Sequence, residues 1–175
     1  MAVRFFAAAG VYVRWVDALN QKVGRFAMIW LFGLLFGILT YAILTDVILR
    51  TPANWAMEMA QFTMAAYYIL GGGFSLQNDA HVRVDILYGR WSPLTRARVD
   101  VFTSLLLMFY LGILMVGGFQ SVQYALEYNQ KNFTAWGPPL APVKIIIFTG
   151  ILLMFLQTTS IFFKSLAHSL KRELP

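Results

Sequence analysis

FAMIWLFGLLFGILTYAILT, residues 26–45, runs for twenty residues without a charge. At a helical rise of about 1.5 Å per residue, such a run covers roughly 30 Å, the thickness of a bilayer's hydrocarbon layer. Three further runs follow it: Trp55 to Leu76, interrupted only by Glu58 and Gln61 near its start, Val101 to Leu126, and Ile145 to Phe163. Backbone facing hydrocarbon must satisfy its own hydrogen bonds, so each run reads as a helix, although Val, Ile and Phe also suit strands. Composition agrees. Of 175 residues, 59% are hydrophobic and only 13% charged, and the mean hydropathy is +0.63, too apolar for an ordinary soluble domain.

The expected fold is therefore an all-α integral membrane protein, a single domain with four spans at 26–49, 55–76, 99–126 and 143–164. Segment 1–25 precedes them, loops 77–98 and 127–142 join them, and a tail covers 165–175. The net charge of +6 would point to nucleic acid in a soluble protein, but here the charges cluster just outside the apolar runs. They read as orientation signals, with the lipid bilayer as the partner and no nucleic acid. Arg4, Arg14, Lys22 and Arg25, then Arg83, Arg90, Arg96 and Arg98, then Lys164, Lys171 and Arg172 fall on one side, against Arg50, Lys131 and Lys144 on the other. Eleven against three places both termini and loop 77–98 in the cytoplasm. The apolar stretch within Met1 to Gly10 is too short for a cleaved signal peptide. The chain has no cysteine, which excludes disulfides and thiolate metal sites.

The connecting segments carry their own signals. In 1–25, Phe5, Phe6, Tyr12, Trp15, Val16 and Leu19 alternate with Arg4, Arg14, Asp17 and Lys22, the pattern of an amphipathic helix on the cytoplasmic surface. Thr51-Pro52-Ala53-Asn54 is a tight turn that makes the first two spans an antiparallel hairpin. Asp46 and Arg50 are four apart with the acid first, the better order for a helical ion pair. In the inner loop, Asp85 can cap a short interfacial helix through Tyr88, and Gly89 ends it. Ser92-Pro93 reads as an N-cap followed by a first-turn proline, so the third helix begins before its apolar run. Pro138, Pro139 and Pro142 stiffen the approach to the fourth span.

Few residues invite chemistry. Glu58 is the sharpest candidate, an ionisable group inside a span, but it lies one turn from the outer interface and reads first as a packing or subunit contact. His81 and His168 both fall at cytoplasmic helix ends, which leaves room for at most one haem held at one level. No Ser-His-Asp grouping, His-Glu-x-x-His, carboxylate dyad or glycine-rich phosphate loop occurs, so the chain is not read as an enzyme. Gly33 and Gly37 form a G-x-x-x-G in the first span, and Gly71-Gly72-Gly73 and Gly117-Gly118 put small residues in the second and third, all suited to close helix packing. A transporter working alone places polar groups or broken helices near the midplane. The middles of these spans are almost wholly apolar, which points to a scaffold whose chemistry lies in another chain.

Asn78-Asp79-Ala80-His81-Val82-Arg83-Val84-Asp85, directly after the second span, resembles the small membrane subunit, the DctQ-like component, of tripartite ATP-independent periplasmic (TRAP) transporters. Arg50 after the first span, Trp55 and Glu58 opening the second, and Pro142 through Gly150 to Leu156-Gln157 in the fourth support it, over roughly Asp46 to Gln157. The family often has two adjacent acids after the tryptophan; here Met57 precedes a single Glu58, which speaks against any role needing paired carboxylates. The resemblance implies a three-part importer of an organic acid, often a carboxylate. A DctP-like periplasmic protein captures the solute, and a large DctM-like subunit moves it on a sodium or proton gradient. This chain scaffolds the large subunit and binds no cofactor itself. Asp46, Arg50, Trp55, Glu58, His81, Arg83, Asp85, Gly33 and Gly37 are then the expected subunit or scaffold contacts. Glu127, Lys131 and Trp136 mark the loop expected to dock the binding protein. The competing readings are a self-contained small multidrug-type transporter and a haem- or quinone-binding subunit of a respiratory complex.

Overall fold

A computed structural model of the chain describes residues 2–78 and 91–170. It is built from helices: α1 (Ala2–Phe26), a π-helical turn (Ala27–Leu31), α2 (Phe32–Val47), α3 (Asn54–Gln77), α4 (Pro93–Glu127) and α5 (Ala141–Ser169). Among the described residues no strand forms, only one isolated antiparallel bridge between Lys131 and Pro139. Three stretches are long and apolar enough to cross a membrane, namely Ala9–Val47, Leu94–Glu127 and Ala141–Ser169. The expected second span is helical as well, but Glu58, Gln61, Tyr67, Tyr68 and three glycines dilute its hydropathy, so it is not among those three.

α3 and α5 make the centre. α5 packs on α4 and α3, α1 lies against both α3 and α5, and α2 packs on α3. The α2–α3 seam holds Ile38, Ala56 and Ala60, with Leu35, Ala42, Ala53 and Met59 around them. It is flanked by ring contacts of Tyr41 with Trp55 at 5.5 Å and Phe32 with Tyr67 at 6.3 Å. The helices approach closely where glycines remove side chains. A Cβ on Gly150 would lie 2.8 Å from the Ile69 carbonyl oxygen, and one on Gly72 would lie 2.7 Å from the Met154 sulfur.

The glycines that do this differ from those the G-x-x-x-G pattern singles out. Gly33 and Gly37 meet nothing within 4 Å, because α2 turns that face outward. The motif describes an open face rather than a helix contact within the chain. The expected Asp46–Arg50 ion pair is also absent. α2 stops at Val47, and Arg50 sits at φ 51°, so the two residues are no longer one helical turn apart and both stay exposed. The Pro52 turn does close the α2–α3 hairpin, with Asn54 N donating to the Pro52 carbonyl. Ser92 caps α4 by accepting from Thr95 N at 3.3 Å, with proline in the first turn as its spacing implies.

The N-terminal segment is helical from Ala2 and continuous with the first span through the π turn. One face of it is buried by the protein itself, at Ala9, Val13, Val16, Asn20 and Gly24. The expected helix from Asp85 to Tyr88 lies outside the described residues.

Candidate functional site

Helix spacing places Tyr12, Val16 and Asn20 on one line of α1, and Leu153, Gln157, Ser160 and Lys164 on one line of α5. Where these lines meet, the polar side chains join. Asn20 Nδ2 donates to Gln157 Oε1 at 2.9 Å and to the Val16 carbonyl at 3.2 Å. Gln157 Nε2 donates to Asp17 Oδ1 at 2.9 Å, and Ser160 Oγ donates to the same oxygen at 3.1 Å. Lys164 Nζ donates to Asp17 Oδ2 at 2.6 Å. Tyr12 and Thr159 share a hydroxyl contact of 2.5 Å one turn below.

Asn20 is 1% exposed, and Gln157 and Ser160 are fully buried. Asn20 Oδ1 accepts no hydrogen bond. It lies directly over the Cα of Gly73, so tightly that any Cβ there would collide with it. A weak Cα–H···O contact is what that position offers the oxygen, and only glycine leaves the space.

The cluster has one carboxylate, and both its oxygens are taken. The remaining members are two amides, the Ser160 hydroxyl and the Lys164 ammonium, each already bonded to another member, so the group reads as a structural joint. What it does is join α1 to α5 across 140 residues of sequence. The charged part contributes least, because the Lys164 side chain is 42% exposed and exposed pairs are worth roughly 0.2–1 kcal/mol. The bonds from buried Gln157 and Ser160 carry more of the joint.

A second polar site sits at the other end of the bundle. Glu58 is buried and accepts from Asn132 Nδ2 at 3.3 Å. Asn132 belongs to a folded hairpin in the connection between α4 and α5. There Asn132 N donates to the Pro138 carbonyl and Leu140 N to the Gln130 carbonyl, both at 2.9 Å. Asn129 and Gly137 turn the chain with positive φ of 49° and 59°. Lys144 Nζ bonds Gln130 Oε1 at 2.7 Å and the Ser121 carbonyl at 3.4 Å, which fixes the hairpin base to α4 and α5. Glu58 thus holds the underside of the hairpin.

A side-chain hydrogen bond is worth roughly 0.5–1.5 kcal/mol, and a donor left without its acceptor costs about 1–3 kcal/mol. Glu58→Ala is therefore expected to open the hairpin about tenfold more often, and trypsin should cut after the exposed Lys131 correspondingly faster. Glu58→Gln, which keeps an acceptor, should cut near the parental rate. Equal cleavage of the alanine variant and the parent would contradict the assignment.

The other expected site residues scatter. Trp55 and Trp136 line one groove of about 440 Å³ together with Tyr41, Thr45 and Pro52. Asp46, Arg50, Glu127 and Lys131 are exposed. His81, Arg83 and Asp85 lie outside the described residues. Composition and spacing missed Asp17, Asn20, Asn132 and Lys144. A lone Gln157 inside an uncharged run was the signal available for the α1–α5 cluster, since a polar side chain in a span needs a partner.

The family model for the DctQ component of tripartite ATP-independent periplasmic transporters matches residues 35–168. The chain belongs to the DctQ family. The match covers most of the protein, from α2 to the last turn of α5. It contains Glu58, Asn132 and the α5 half of the polar cluster, and it begins after Tyr12, Asp17 and Asn20. No curated protein matches the chain. A DctQ protein is a transporter component rather than an enzyme, and a multi-pass protein of the inner membrane. DctQ components work with DctM and DctP partners in TRAP transporters.

Proposed function

We propose that this DctQ protein is the small permease subunit of a TRAP-type importer, the fixed frame against which a DctM-like large subunit moves its solute. The solute is an organic acid, delivered by a DctP-like periplasmic protein and driven by a sodium or proton gradient acting through the large subunit. One observation carries the scaffold reading. Each buried polar or charged residue among those described makes at least one bond within the chain, from Thr45 and Thr63 on their own helix carbonyls to Glu58 and Gln157 between elements, and the unpaired Asn20 Oδ1 is closed off against Gly73. Solute translocation needs polar groups with bonding capacity to spare. Meanwhile α2 and α4 turn large apolar side chains outward, Phe32 and Phe36 on one and Phe109 and Val116 on the other. Those faces suit lipid or a neighbouring membrane protein.

Four spans with both termini in the cytoplasm fit this role best. α3 runs beside the first helix from the Tyr41–Trp55 contact to Gly24 against Phe74, and so matches its depth despite a lower hydropathy. Single cysteines placed in this cysteine-free chain test the orientation. A membrane-impermeant maleimide added to intact cells should label position 131 and spare position 90; the reverse pattern would refute the orientation.

In this reading the hairpin held by Glu58, with Lys131 and Trp136 on it and Glu127 at the end of α4 before it, is the docking surface for the binding protein. Asp46, Arg50, Trp55, Gly33 and Gly37 face the large subunit. Affinity purification of the tagged chain from its native membrane should bring down a much larger polytopic protein. Solute uptake by this chain alone in liposomes would overturn the proposal.

A further inference from the structure

α1 contains one acid, Asp17, and four bases, Arg4, Arg14, Lys22 and Arg25. The fold sorts them. Asp17 turns inward and is consumed by Lys164, Gln157 and Ser160. Arg14, Lys22 and Arg25 are exposed, and none is bonded to another described residue. Each of Val11, Arg14, Trp15, Ala18, Lys22 and Arg25 has another of the set three or four positions away, and all are exposed, so they form one outward stripe. Trp15 is 60% exposed on it, and Phe26 and Ile29 continue it as the helix enters its apolar run.

We propose that this stripe docks the anionic phospholipid headgroups of the adjoining leaflet. A surface with cations and an indole ring, and with its only acid withdrawn, complements a layer of phosphates that lies over hydrocarbon. The apolar face of α1 is already occupied by α3 and α5, so what is left for the membrane is the charged side. From Arg14 to Arg25 the stripe is three turns long, about 16 Å, roughly twice the depth of a headgroup layer. Lys and Arg stems cover part of that difference by reaching toward the phosphates, and a helix leaning toward the membrane plane covers the rest. The continuity of the stripe with exposed Phe26 and Ile29, at the start of the apolar run, favours lipid over an acidic protein surface as its occupant.

The inference rests on the membrane reading and not on the importer reading, which is tested by copurification. The full-length chain, with any partner that copurifies, is titrated in neutral detergent with phosphatidylglycerol or with phosphatidylcholine while its thermal midpoint is followed. The parent should respond to phosphatidylglycerol at a concentration about tenfold or more below that needed of phosphatidylcholine, at about one salt-sensitive increment per cation. Raising the salt concentration should shrink the difference. The Arg14→Gln/Lys22→Gln/Arg25→Gln variant should respond to the two lipids alike, and a variant with Lys at all three positions should keep the preference. Equal responses in the parent, a preference indifferent to salt, or an undiminished preference in the glutamine variant would overturn the proposal. So would loss of a copurifying protein in that variant, since the stripe would then be a protein contact.

Discussion

Gly150→Ala is expected to destabilise the protein by about 2–3 kcal/mol, at the upper end of what overpacking of a well-filled interior costs, while Gly33→Ala leaves it nearly unchanged or slightly more stable. The two glycines look alike in sequence, each lying inside an apolar run. Their surroundings differ. A Cβ on Gly150 would meet Ile69 Cγ1 at 2.7 Å, its carbonyl oxygen at 2.8 Å and its carbonyl carbon at 2.9 Å. The side-chain atom can rotate away, but the backbone atoms cannot, so α3 and α5 must separate. The separation would be felt at Gly72 on Met154 and at Gly73 under Asn20, which lie at the same crossing. On Gly33 the added methyl meets nothing within 4 Å, and alanine is the better helix former. Detergent-induced unfolding followed by far-UV circular dichroism measures both variants. Equal stability of the Gly150 and Gly33 variants would show that α3 and α5 are not in contact there.

The same pair of glycines marks where sequence reading stops. Long uncharged runs dictate helices on their own, because hydrocarbon leaves backbone no other partner, and the helix from Asn54 to Gln77 follows the run from Trp55 to Leu76 closely. Local side-chain grammar was readable too. The Ser92 hydroxyl and Pro93 act within four residues of each other, so their spacing is enough. Contacts between helices are another matter. Which face of a helix meets another is weakly encoded when nearly every face is apolar, as on α2, α4 and α5. G-x-x-x-G at Gly33 and Gly37 therefore carries no address, and the close approaches fall at Gly24, Gly72, Gly73 and Gly150 instead.

The misread Asp46–Arg50 pair has the same origin at shorter range. A four-residue spacing makes a pair only while the helix lasts, and α2 ends between the two. Lys164 was legible as a cation at a cytoplasmic helix end, and Asp17 as one polar position of an amphipathic segment. Their bond spans 147 residues of sequence and needs the bundle to exist first. Glu58 reads first as a packing or subunit contact, and the partner the fold gives it, Asn132 in a loop 74 residues away, is invisible in the sequence.

Asp17→Leu is expected to be the other costly substitution, at about 2–4 kcal/mol. The leucine removes three bonds at once. Interhelical hydrogen bonds in membranes average roughly 0.6 kcal/mol, which sets a floor near 2 kcal/mol for three. Each buried donor left without an acceptor costs roughly 1–3 kcal/mol, and Gln157 Nε2 and Ser160 Oγ would both be left so. Lys164 adds little to this, because it is half exposed and can return to water. The decisive comparison is therefore with Lys164→Met, which removes the charge pair but spares both buried bonds, and which should cost no more than about 1 kcal/mol. Asp17→Asn should fall between the two, since its amide oxygen can still accept from Gln157 and Ser160. Thermal unfolding of the three variants in one detergent ranks them. If Lys164→Met proves as damaging as Asp17→Leu, the ion pair rather than the buried amide and hydroxyl holds α1 to α5, and the ordering argued from burial fails.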